Sequence, residues 1–361
     1  MESKKVLIMH HNDRDGYVSA AIIANHLKDD YVQNQYKPDF IRFITMDYSK
    51  SIREYFEDAR YMYGYPDEVY IVDYSASNVQ ALRDIQSINK EVTKLVWIDH
   101  HISSNQTIQN HKCEEFKDIP SIPGLRIDGI SAAALCWLWC NTYNFDHTQS
   151  DFYLFLCKYD QQIRPLAYDR KGIRYHLQHT FDIPWFILLT HRYDIFDMGE
   201  GESCDEMLAF NLAAQCNSVE DAFKYLTYDD EYIDILLKQG FSILDYKKVY
   251  NERLMKNNAK GYSMKFKWDE KDNEENKLYF LALNHTELSS TVFDNVIDQY
   301  DFVMIYYTDG IKWKHSVYTV QDDIDVSQIA KLFGGGGHKK AAGFILDKPF
   351  YQEKPDWFTM K

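Results

Sequence analysis

The chain has 361 residues, 45% of them hydrophobic and 16% aromatic, which excludes a disordered protein and exceeds the size at which one core usually keeps growing. Forty Lys and Arg against fifty-five Asp and Glu give a formal charge of -15, which disfavours long-range attraction to duplex nucleic acid but leaves room for a small anionic ligand. The six cysteines form no C-x-x-C pair, as expected of reduced thiols, and the polar start Met1–Lys5 suggests neither signal peptide nor membrane span; the expected compartment is cytoplasmic.

In chain order, Val6 to Met9 reads as a strand, Tyr17 to Leu27 as a helix and Phe40 to Met46 as a strand leading into Asp47. Val69 to Val72 and Leu95 to Ile98 are further short runs rich in branched residues, with a helix at Val79 to Ile88 between them. Strands alternating with helices imply a parallel sheet, whose ligands bind beyond the carboxyl ends of its strands. Cys136 and Cys140 lie one helical turn apart among Leu135, Trp137, Leu138 and Trp139, which predicts a packed helix rather than a zinc site. Ser203 to Asn258 is helical and charged. Beyond it, Tyr279 to Leu283, Phe302 to Tyr307 and Lys312 to Val320 read as strands, the last two joined by a turn at Asp309-Gly310. A helix at Asp325 to Phe333 then leads into Gly334 to Gly337. The expected fold is α/β: an N-terminal parallel-sheet domain over 1–200, a helical connector over 201–258, and a smaller α/β domain with a mixed sheet over 259–361.

The chemistry-bearing residues sit where the apolar runs end. His11, Asp13 and Asp15 are spaced two apart, so an extended backbone would project all three to one side; an Asp-rich loop ending in Gly16 is equally a solvated turn. Asp73 and the triplet Asp99-His100-His101 also follow buried strands, where unpaired polar groups would cost a few kcal/mol each. A shared metal cluster removes that difficulty, and carboxylates with imidazole suit manganese or magnesium better than zinc thiolate chemistry.

His-x-Asp-x-Asp at 11–15, a strand-ending Asp73 and Asp99-His100-His101 together resemble the DHH phosphoesterases. Gly334-Gly335-Gly336-Gly337-His338 followed by Ala341-Ala342-Gly343 resembles the glycine-rich signature of their C-terminal DHH-associated domain. The resemblance implies two manganese ions, magnesium being the alternative. His11, Asp13 and Asp73 would hold one, with Asp15, Asp73 and His100 on the other and Asp73 bridging. It also implies a later aspartate, either Asp160 or Asp194; the setting Arg-Tyr-Asp-Ile-Phe-Asp favours Asp194. Asp99 would orient a histidine by accepting its ring proton, His101 would act either as ligand or beside it, and His338 would donate to a phosphate brought against Gly334, Gly335, Gly336 and Gly337. One departure stands out: where many relatives carry Ser-x-Arg, this chain has Ser316-Val317-Tyr318, leaving Lys314, Lys339 or Lys340 to supply a cation, or Tyr318 to stack on a base.

The activity implied is that of a nanoRNase-like, oligoribonuclease-type phosphodiesterase cutting short oligonucleotides or linear dinucleotides to mononucleotides. Cyclic dinucleotides or 3'-phosphoadenosine 5'-phosphate would use the same metals. A single-strand exonuclease of the RecJ type fits less well, for want of a basic groove, and a nucleotide-binding regulator with a decayed site is the non-enzymatic alternative. Long duplex nucleic acid and membranes are not expected partners; a homodimer is compatible with the sequence.

Overall fold

The computed structural model describes residues 4–33, 41–142, 183–195, 202–228, 230–266, 276–286, 290–352 and 358–360. Asp160 lies outside them. The chain divides into two compact units, residues 1–244 and 245–361.

In the first unit β1 (Val6–His11), β2 (Ile41–Met46), β3 (Glu68–Val72) and β4 (Lys94–Ile98) form a parallel sheet in the order β2-β1-β3-β4. Alternate side chains of these strands enter two separate cores, which is why the strands read as unbroken apolar runs. Val6, Ile8, Tyr70, Val72, Val96 and Ile98 face one layer, and Leu7, Met9, Val69, Ile71, Leu95 and Trp97 the other. The first layer is built by α1 (Arg14–Gln33), α5 (Ala132–Thr142) and α6 (Trp185–Asp194). The second is built by α2 (Ile52–Tyr63) and α3 (Val79–Glu91), with the short α4 (Ile102–Asn110) following β4. Cys136 on α5 is wholly buried in the first layer, as the packed-helix reading requires.

Three more helices follow: α7 (Glu202–Ala213), α8 (Val219–Leu226) and the long α9 (Asp230–Asn258). Phe210, Val219, Ala222, Ile233, Leu236 and Leu237 from this stretch join the first core, so the helices that lead toward the second unit also complete the first.

The second unit holds a mixed sheet of β5 (Lys260–Phe266), β6 (Asn276–Asn284), β7 (Phe302–Thr308), β8 (Trp313–Tyr318), β9 (Gly336–Gly337), β10 (Ala341–Leu346) and β11 (Phe358–Met360). The order is β11-β5-β6-β7-β8-β10-β9, with β6 and β7 parallel and the other neighbours antiparallel. The helix α10 (Val326–Leu332) packs Val326, Ile329 and Ala330 against one face. Asp309 closes the β7-β8 turn by accepting from the amides of Ile311 and Lys312 at 3.0 and 2.9 Å. The architecture is the α/β arrangement expected from the sequence. Among the described residues no helix is long and apolar enough to cross a membrane.

Candidate metal centre

The carboxyl ends of β1, β3 and β4 converge with the starts of α1 and α5 and the end of α6. His11 is the last residue of β1, and Asp13 then starts α1, its Oδ1 accepting from the Gly16 amide at 2.9 Å and its carbonyl from Tyr17 at 3.0 Å. The extended backbone expected for 11–15 is therefore replaced by a strand end, a helix cap and a first helical turn. Two of the three carboxylate and imidazole groups still meet directly, His11 Nδ1 lying 2.7 Å from Asp13 Oδ2. Gly16 makes the junction possible, since a Cβ there would sit 2.3 Å from the His11 carbonyl oxygen.

Asp73 is buried at 1% exposure and has φ 53°, the one non-glycine with positive φ among the described residues. Such backbone strain persists where the surrounding structure fixes it, and it clusters at functional sites. Its amide donates to the Ile98 carbonyl at 2.9 Å, tying the β3 end to the β4 end. Beyond β4, Asp99 Oδ1 lies 2.6 Å from His101 Nδ1 and accepts from the His100 amide at 2.9 Å, while the Ser104 hydroxyl donates to Oδ2. Asp99 thus orients His101, and the His100 ring is left to face the carboxylates. Its Nε2 is 3.3 Å from Asp73, 3.4 Å from Asp194 and 3.9 Å from Asp15.

Three overlapping sets of ligand atoms result: His11, Asp13 and Asp73; Asp15, His100 and Asp194; and Asp73, His100 and His101, each set lying within 4.8 Å. Asp194, on the last turn of α6, is brought into the cluster from far along the chain.

The electrostatics of the cluster call for cations. Burial and the Asp13 charge push Asp15 up to about 7, and burial with Asp15 and Asp13 pushes Asp194 up to about 9. Asp73 is raised well above the carboxylate range by burial and by Asp15, Asp13, Asp194 and Asp99. Burial lowers His100 to about 4, so its ring is a neutral donor of lone pairs. Asp13 runs the other way: burial raises it, but hydrogen bonds from His11 and the Gly16 amide outweigh that and hold it at about 2. Oδ2 of Asp73 and Oδ2 of Asp194 are buried without a hydrogen bond. Orphaned carboxylate oxygens, like charges in contact and neutral imidazoles form a donor set that fits hard divalent cations.

Part of the scaffold carried no sequence signal. Asp15 accepts from the Ala132 and Ala133 amides at 2.7 and 3.0 Å, so the N-terminus of α5 cradles its carboxylate. The preceding amide, of Ser131, donates to His191 Nδ1 at 3.1 Å, one turn ahead of Asp194 on α6. Arg14 donates to the carbonyls of Asn211 and Ala214, holding the end of α7 against the start of α1. These partners are 60 to 200 residues apart in sequence, and no local pattern marks them.

In the second unit, packing leaves no room for a side chain at Gly335 or Gly337. A Cβ on Gly335 would lie 2.2 Å from the Gly343 carbonyl oxygen, and one on Gly337 2.5 Å from the Ala342 Cα. Gly334 and Gly336 face open space. His338 is exposed, in a turn closed by hydrogen bonds with Ala341. Of the lysines considered as a replacement cation, Lys314 pairs with Asp309 at 3.2 Å and Lys340 with Asp322 at 2.9 Å. Tyr318 is half-buried against the cluster of Leu281, Leu283, Val303 and Ile305, where a hydrocarbon contact rather than a cation belongs.

Residues 5–121 match the family model described as "DHH family, N-terminal domain". No curated protein matches the sequence. Among solved structures, the chain is similar to the DHH domain of a member of the s1p family of ribosomal proteins. That pair is 12% identical with a TM-score of 0.50, covering 95% of this chain and 82% of the other, a likeness of fold. Exonuclease RecJ bound to manganese is 15% identical with a TM-score of 0.47, covering 97% and 88%. The pGpG-specific phosphodiesterase from Vibrio cholerae is 12% identical with a TM-score of 0.36, covering 98% and 96%.

Proposed function

We propose that the chain is a two-metal phosphodiesterase that hydrolyses short oligonucleotides or linear dinucleotides to mononucleotides, with manganese as its working ion. The observation that carries this is the set of overlapping ligand groups that share Asp73 and His100 at the carboxyl ends of β1, β3 and β4. His11, Asp13 and Asp73 would hold one ion, and Asp15, Asp73, His100 and Asp194 the other. Bound cations supply Lewis-acid stabilisation of charge on a phosphoryl group and lower the pKa of water.

The chain's own groups do the positioning. Asp99 holds the His101 ring, and Ser104 occupies the second Asp99 oxygen, so the imidazole stays aimed beside the ligand cluster. The α5 amides keep Asp15 in place as a charged ligand. His338 and the backbone of Gly334 to Gly337 are the groups of the second unit that the resemblance assigns to phosphate. A formal charge of -15 favours a small substrate gripped through cations over a long polyanion gripped through a basic groove.

The test is a manganese-dependent time course on 5'-labelled RNA and DNA from two to twenty-four residues, with cyclic dinucleotides and 3'-phosphoadenosine 5'-phosphate alongside. Preferential loss of strands of two to five residues supports the proposal. Activity confined to a cyclic dinucleotide or to the bisphosphate replaces the substrate, and no turnover with any of them points to a nucleotide-binding regulator.

A further inference from the structure

Among the described tyrosines, one combines exposure with a fixed place beside the candidate metal centre. Tyr48 follows β2 and is 55% exposed, while the two tyrosines that fix its turn, Tyr55 and Tyr74, are 9% and 3% exposed. Asp47 organises that turn. Its Oδ1 accepts from the Tyr55 hydroxyl at 2.5 Å and the Ser49 amide at 2.8 Å, and its carbonyl accepts from the Tyr74 hydroxyl at 2.8 Å. The Tyr48 ring stacks on Tyr74 with centroids 4.9 Å apart and planes 26° apart. It also lies 5.3 Å from the ring of His11, one of the candidate metal ligands.

We propose that Tyr48, backed by Tyr74, is the platform on which a nucleobase of the substrate stacks while its phosphate occupies the metal centre. This rests on the phosphodiesterase reading of that centre. An aromatic ring held at the rim of a charged site gains little from burial there, and its uncovered surface suits a flat ring that extends the Tyr74–Tyr48 stack. Stacking accepts any base, so the platform selects for the presence of a base near the scissile phosphate rather than for sequence.

The probe is a non-hydrolysable, methylenephosphonate-linked dinucleotide carrying 2-aminopurine, titrated into the full-length chain with manganese, with its abasic analogue as competitor. The native chain should quench the fluorophore and bind the base-bearing probe about tenfold tighter than the abasic one, as one stacked base is worth. In Tyr48→Leu both the quench and the tenfold ratio should collapse; in Tyr48→Trp both should persist. A ratio that survives Tyr48→Leu, or is absent from the native chain, overturns the platform. Hydrolysis of an ordinary dinucleotide, run in parallel, reports on the phosphodiesterase reading itself, so a chain that turns over dinucleotides but ignores Tyr48→Leu refutes the platform alone. A chain that quenches the probe but cleaves nothing refutes the activity alone.

Discussion

Asp73 concentrates the demands of the site in one side chain: buried, in the left-handed region, surrounded by like charge and with one oxygen unpaired. Asn tolerates that backbone better than most residues, so Asp73→Asn should fold and test the ligand role cleanly. It is expected to weaken manganese binding by about 100-fold or more at both positions, whereas Asp194→Asn should remove one of two ions; titration calorimetry reads both stoichiometries. His315 offers a separate test in the second unit. It is 2% exposed between the rings of Phe344 and Tyr306, at 4.5 and 6.0 Å, and burial lowers its pKa to about 4. With a folded value of about 4 and an unfolded value near 6.5, the unfolded chain binds the extra proton between them. Its contribution is thus complete above pH 6.5 and is lost as pH falls toward 4, by roughly 3 kcal/mol. Urea midpoints of the second unit should follow that curve, and His315→Phe should flatten it. His11, Asp13, Asp15, Asp73 and the 99–101 triplet were legible because each closes or follows a run of apolar residues. Tyr48 and His191 were not, because their meaning lies in contacts with Tyr74 and Ser131 that no spacing encodes.

At the scale of elements, the centre depends on how closely strand ends meet helix starts. The β1–α1 junction is the tightest of these, with Gly16 over the His11 carbonyl. Gly16→Ala forces backbone against backbone, so α1 must shift away from β1, at a cost of about 1 to 3 kcal/mol. The expected result is a lower urea midpoint for the first unit together with weaker manganese binding, because Asp13 and Asp15 ride on the same turn; an unchanged midpoint would show that the junction yields freely. The strands of the first unit were legible as short branched runs, and the parallel order followed from their alternation with helices. The spacing of residues 11–15 does not distinguish an extended course from a turn, because a side-chain period of two is shared by a strand and by a strand end that turns into a capped helix. The Asp13 cap decided it, through hydrogen bonds to Gly16 and Tyr17 that the spacing alone does not reveal. In the second unit, the Asp309-Gly310 turn and the helix before the glycine run were readable from local residues, whereas the packing need of Gly335 arises from β10, eight residues further on.

For the whole molecule, the two units have separate cores, and among the described residues the cluster of buried carboxylates lies in the first. In the absence of cations, Asp15, Asp73 and Asp194 resist ionisation together, and that mutual repulsion opposes folding of the first unit. Cations that bind the folded cluster and not the unfolded chain add stability by mass action, about 2.7 kcal/mol for one ion at a hundred times its Kd. For a unit of this size that corresponds to a rise in Tm of about 5 to 10 °C. Scanning calorimetry with manganese or with a chelator should therefore show one metal-sensitive transition and one that stays in place, the second belonging to residues 245–361. Adding Asp73→Asn should abolish the manganese-induced shift of the first transition while leaving the second where it was. If a single transition were seen, moving with manganese in the native chain and not in Asp73→Asn, the two units would unfold as one cooperative body. If both still moved in Asp73→Asn, the ions would be binding elsewhere and the assignment of the cluster would fail.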